Sequence, residues 1–198
     1  MHKSRIRIWE ASLLIAVCVC LCQAAAESGR QAALAEKILR MHVVAASDEG
    51  EAQALKIRVR DAVAPILEEA LEGCSGRDEA EARIEKSRCA ILAAAHRAAE
   101  GERVEMSLGR EKFPYRESES CALPAGEYST LRLTIGEGAG HNWWGVIFPA
   151  LDLSGGYLEA GEYFSEGELK LIYGGEAVEV RFRLAEILEK LKAWLSGA

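Results

Sequence analysis

The sequence predicts an α+β protein: a mostly antiparallel sheet with helices packed on one face, preceded by an N-terminal signal segment. Three observations carry this. The chain opens with basic residues followed by a short apolar run. Stretches of period 2 and stretches of helical period are then grouped in blocks rather than alternating, which favours α+β over a wound parallel sheet. Finally, 198 residues with 49% hydrophobic and 28% charged content suffice for one domain with its own core.

The signal segment comes first. Lys3, Arg5 and Arg7 precede an apolar run of 12 residues at 11–22, and Ala24-x-Ala26 fits a small-residue cleavage site. The run is short for a spanning helix, which needs about 20 apolar residues. Residues 1–26 are therefore read as a signal peptide or a signal anchor, and residues 27–198 as one extracytoplasmic domain. Losing 1–26 would remove three basic residues and one acid, and so take the net charge from -7 to -9. No basic stripe follows, which argues against nucleic acid as a partner. The membrane is met only through the signal segment.

The elements follow in order. Residues 38–45 alternate as a strand, with Leu39, Met41 and Val43 against Arg40 and His42. The turn at 46–50 contains Asp48, which forms a plausible capping box with Glu51. A helix follows on Leu55, Val59, Val63 and Leu67, with a kink or restart expected near Ala64 because of Pro65. Ser75 with Asp78 opens a second helix marked by Ile84, Arg88, Ile91 and Ala95 and ending near Gly101. Strands are predicted at 103–108, 131–135 and 146–148. A short helix is predicted at 165–173, a strand at 177–184 and a helix at 185–195.

Chemistry is sparse. Gly136-Glu137-Gly138-Ala139-Gly140 follows a strand, but the next residues read as another strand, which favours a hairpin turn over a phosphate loop. No metal-binding or nucleophile-elbow motif occurs. Cys18, Cys20 and Cys22 fill the apolar run. Cys74, Cys89 and Cys121 remain, so at most one pair and one spare thiol are possible. The sequence does not say whether Cys74 and Cys89 pair, and a Cys–His couple with His141 would have to be assembled in space. No cofactor is implied. The strongest candidate is the Trp143-Trp144 pair. Adjacent strand residues point to opposite faces, so one Trp enters the core and the other is either covered by another layer or left as a contact anchor.

Residues 123–151, LPAGEYSTLRLTIGEGAGHNWWGVIFPAL, closely resemble the core of the stage II sporulation protein R family. So do residues 38–63, with Ala46-Ser47-Asp48, Gln53-Ala54-Leu55-Lys56 and Val59-Arg60-Asp61-Ala62-Val63 in the family's order, and the piece Lys112-Phe113-Pro114. The likeness spans about 38–151 and, more loosely, the C-terminal helix. It implies a non-enzymatic signal, exported from the forespore into the space between forespore and mother cell. There it would activate a membrane-embedded aspartic-type protease that processes the early mother-cell pro-sigma factor. The family block usually reads Asn-Trp-Trp-Cys, with a second Cys after Phe-Pro-Pro. This chain has Gly145 and Asp152 at those places and Ala150 for the second Pro, so that pair is absent.

Two readings stand side by side. In the first, a secreted ligand binds one state of its receptor through Asp48, Glu137, His141, Asn142, Trp143 and Trp144. The alternative is an exported hydrolase, or a structural extracytoplasmic module. The hydrolase predicts a deep pocket joining His141 to a Cys, a Ser or a carboxylate.

Overall fold

A computed structural model describes residues 8–117, 122–149 and 163–173. The predicted strand at 177–184 and helix at 185–195, together with Cys121, Ala150 and Asp152, lie outside the described residues. The elements are α1 (Ile8–Ala35), β1 (Leu39–Val44), α2 (Gly50–Leu71), α3 (Arg77–Lys86), α4 (Arg88–Ala98), β2 (Val104–Phe113), β3 (Arg116–Glu117), β4 (Ala122–Leu123), β5 (Gly126–Ile135), β6 (Asn142–Phe148) and α5 (Glu166–Tyr173).

The class is α+β as predicted, but the sheet is mixed. Four strands lie in the order β2-β5-β1-β6. β5 is antiparallel to β2 but parallel to β1, whereas β6 is antiparallel to β1. Alternation of side chains is the same in both ladder types, so the pattern is silent on strand direction. The parallel pair becomes possible because α2–α4 supply the long crossover that it needs.

Leu39, Met41 and Val43 of β1 and Leu131, Leu133 and Ile135 of β5 share one face. Leu55, Val59, Val63 and Leu67 of α2 pack on it, with Ala80 and Ile84 of α3 and Ile91 and Ala95 of α4. Each fully buried Leu, Ile or Val stabilises the fold by about 1.5–3 kcal/mol. The opposite face is covered too. Leu34 and Ala35 from the end of α1, with Leu171 and Ile172 of α5, pack around Phe113, Leu123 and Tyr128. All six residues of β1 are therefore buried, Arg40 and His42 included. Arg40 stacks 3.9 Å from the centre of the Phe113 ring and 5.1 Å from that of Tyr128, an arrangement that lets a cation lie among aromatics. The Tyr128 hydroxyl donates to the Pro124 carbonyl at 2.6 Å.

Three local expectations change. α2 runs through Pro65 as a single helix with no restart at Ala64, and Val63 and Leu67 anchor both sides of the missing N–H in the core. The second predicted helix is two helices, parted at Ser87. At its start Ser75 pairs with Glu79 rather than Asp78, through its N–H at 3.0 Å and its hydroxyl at 2.8 Å. α1 runs through the Ala24-x-Ala26 motif without a break and is long and apolar enough to cross a membrane.

Glu36, just past α1, binds Arg77 of α3 and Arg110 of β2 and so ties three elements together. The Arg110 and then the Arg77 guanidinium hold its carboxyl down at about 2. Ser75 and Arg83 hold Glu79 at about 2 as well. A lowered carboxylate pKa contributes stability that is complete above the ordinary value and lost as pH falls towards the folded one. Urea midpoints should therefore fall as pH drops from 4.5 towards 2, and Glu36→Gln should flatten part of that fall. Equal slopes in variant and wild type would contradict it. Tyr128→Phe should lower stability by about 1–2 kcal/mol through loss of a buried hydrogen bond, measured by the same titration.

Candidate functional site

The loop between β5 and β6 is not a hairpin. β1 lies between these two strands, so residues 136–141 must cross over its end. The crossing brings the chain against the turn that follows β1. The Gly140 amide donates to the Ala45 carbonyl at 2.9 Å and the Ala139 amide to the Ala46 carbonyl at 3.2 Å. A Cβ at Gly140 would lie 2.1 Å from the Ser47 carbonyl oxygen, so only glycine allows the approach.

This junction collects four of the six residues expected to contact a partner. Asp48 does not cap α2, whose N-cap is Glu49 with no side-chain cap bond. Instead its carboxylate accepts from the His141 amide at 2.6 Å and meets the His141 ring at Nδ1. Both side chains remain largely exposed, 58% for Asp48 and 78% for His141. Glu137 is exposed in the same loop, and Asn142 begins β6 opposite Val44.

Below the junction sits Lys56, buried in the first half of α2. Its Nζ donates to the His141 carbonyl at 2.9 Å and to Gln53 Oε1 at 2.6 Å, while Gln53 donates to the Ser47 carbonyl at 2.8 Å. Burial lowers the Lys56 pKa, and the charge of Asp48 opposes that shift. The available signal was a lysine three residues before Val59 and seven before Val63, on the apolar stripe of α2.

The two tryptophans stand on opposite faces of β6, as the period of a strand requires. Both are half-buried. Trp143 faces α2, with the Arg60 guanidinium 5.0 Å from its ring. Its indole covers Gly145, where a Cβ would lie 2.4 Å from Cη2. Trp144 lies on the other face against His42 and Phe113, at 5.7 and 6.4 Å between ring centres, with Arg116 stacked 4.4 Å away. Neither Trp is a bare anchor, since each carries an arginine on its ring. His42 shares Glu111 with Arg132, at 2.7 and 3.3 Å.

A cleft of about 1130 Å³ runs between the C-terminal half of α2 and β6, past Trp143, Phe148, Tyr163 and Cys74. Among the described residues no histidine lines it, and His141 lies outside it. Burial raises the Cys74 thiol pKa, which disfavours the thiolate that a nucleophile needs. Cys74 and Cys89 are free thiols. Among the described residues no group of three His, Cys, Asp or Glu side chains is placed to hold a metal ion.

The profile of the family described as stage II sporulation protein R matches residues 35–155. Stage II sporulation protein R of Bacillus subtilis (strain 168) is 32% identical over 120 residues, covering 59% of this chain and 54% of the relative. The matched stretch thus spans about half the length of that relative. No solved structure matches the chain.

Gly140→Ala should separate the two loops while the sheet persists. The amides of Ala139, Gly140 and His141 should lose protection in hydrogen exchange, and those of β5 should keep it. Unchanged protection of the amide at position 140 would show that the crossing tolerates a Cβ.

Proposed function

The chain belongs to the stage II sporulation protein R family, and from that membership we propose that it is an exported sporulation signal rather than an enzyme. The domain acts in the space between forespore and mother cell. It switches on a membrane-embedded aspartic-type protease, which then processes the early mother-cell pro-sigma factor. The observation that carries this reading is the loop junction. Asp48, Glu137, His141 and Asn142 meet there on an exposed edge, beside the paired tryptophans, and all six lie inside the family match.

Such a ligand needs only to bind the active state of its receptor more tightly than the resting one. The junction suits this. Asp48 and His141 offer exposed polar groups, while Lys56 and Gln53 hold the backbone beneath them. A preorganised loop loses less entropy on binding than a mobile one. The hydrolase alternative needs His141 beside a nucleophile or carboxylate in a pocket. The cleft holds Cys74, and His141 is elsewhere.

The test is reconstitution of the candidate protease with its pro-sigma substrate in liposomes. Processing should depend on added protein. His141→Ala, at an exposed side chain, should reduce it at least tenfold while circular dichroism and melting temperature stay near wild type. Processing at full rate without the protein would sink the reading.

A further inference from the structure

We propose that α1 is retained as a membrane anchor, so that the domain stays tethered to the bilayer across which it is exported. The proposal is independent of the protease reading, because it concerns where the domain is held and not what it contacts.

α1 has two parts with different surroundings. In the first, Ile8, Leu13, Ile15, Val17, Val19 and Leu21 are between 47% and 88% exposed. At about 100° per residue these positions, with the equally exposed Trp9 and Leu14, spread around the helix. A protein groove covers one stripe of a helix, whereas a helix that is apolar on every side is matched by lipid. Residues 8–26 rise about 28 Å at roughly 1.5 Å each, close to the ~30 Å hydrocarbon core. Lys3, Arg5 and Arg7 lie before the span, where the positive-inside rule places them on the cytoplasmic side, and Trp9 sits at interface depth.

The second part belongs to the domain. Glu27, Leu34 and Ala35 are buried, and Leu34 and Ala35 pack in the same cluster as Tyr128 and Ile172. Glu27 pairs with Arg30 at 2.9 Å. Only residues 36–38 separate α1 from β1, and each is held. Glu36 binds Arg77 and Arg110, Lys37 binds Glu168 at 2.8 Å, and Ile38 is fully buried. The span therefore continues into the core without a linker.

The small-residue motif Ala24-x-Ala26 lies inside this helix, immediately before buried Glu27. A cut there would leave a charged ammonium on a residue that the domain buries, an unfavourable place for a new charge. It would also leave a nine-residue stub at 27–35, too short to be helical by itself. The geometry thus fits an uncut helix. Tethering also orients the domain. α1 joins β1 at Leu39, and the Asp48–His141 junction lies beyond the other end of that strand. Five steps along the six-residue strand separate its ends by about 17 Å.

The full chain, carrying a C-terminal tag, is expressed in an exporting bacterium, and membranes are washed with alkaline carbonate and floated on a sucrose gradient. The tagged protein should float with lipid, resist the wash, and have the mass of the uncut 21.6 kDa chain plus the tag. External protease should remove the tag from intact cells. A soluble species beginning at Glu27, or full-length protein stripped by carbonate, would overturn the proposal. Anchored protein that fails to support pro-sigma processing would count against the signalling reading alone.

Discussion

Everything else in the fold is arranged around β1. Its six residues are buried on both faces and paired on both edges. A strand in that position cannot leave Arg40 and His42 to water. The second face therefore supplies aromatic rings for the arginine and a carboxylate for the histidine. Buried polar groups are tolerated only with partners of this kind, and the side chains involved come from β2, β5 and β6. Phe113, Tyr128, Glu111 and Trp144 are thus committed to enclosing the central strand as much as to any surface role.

The same position of β1 creates the candidate site. Because β5 and β6 flank it, the chain between them has to cross its end, and the crossing loop lands on the turn that β1 itself enters. Two backbone hydrogen bonds and the Asp48–His141 contact hold the loops together. Lys56 and Gln53 brace the junction from the helix below. The proposed signalling role uses this polar edge on a packed core as a recognition surface. Catalysis would ask for a nucleophile, a base and a pocket in one place. Among the described residues the pocket and His141 are apart, and burial pushes the pKa of the pocket thiol up.

Much of the architecture was legible in the residues. Alternation marked β1 and parts of β2, β5 and β6, and helical spacing marked the core stripe of α2. The opposite orientation of Trp143 and Trp144 followed from strand geometry alone. The errors have physical causes. Asp48 has the spacing of a capping residue, but a backbone amide and an imidazole from 93 residues away compete for its carboxylate and win. Pro65 has the chemistry of a helix breaker, but the core on either side outweighs one lost hydrogen bond. The glycine loop has the composition of a hairpin, and composition does not reveal that a third strand lies between the two it joins. Gly145 first stood out as a missing cysteine. In the fold it is the space in which the Trp143 indole rests.

The sequence by itself determined the apolar N-terminal segment, the α+β class and the family. An apolar segment behind a basic start, grouped periodicities and a long match to one family need only local chemistry and chain order. The tertiary structure decided strand order, the parallel pairing, the covering of the second face and the meeting of Asp48 with His141. Those depend on which segments become neighbours in space. Neighbourhood is set by how the whole apolar surface is buried at once, and no local window of residues contains that information.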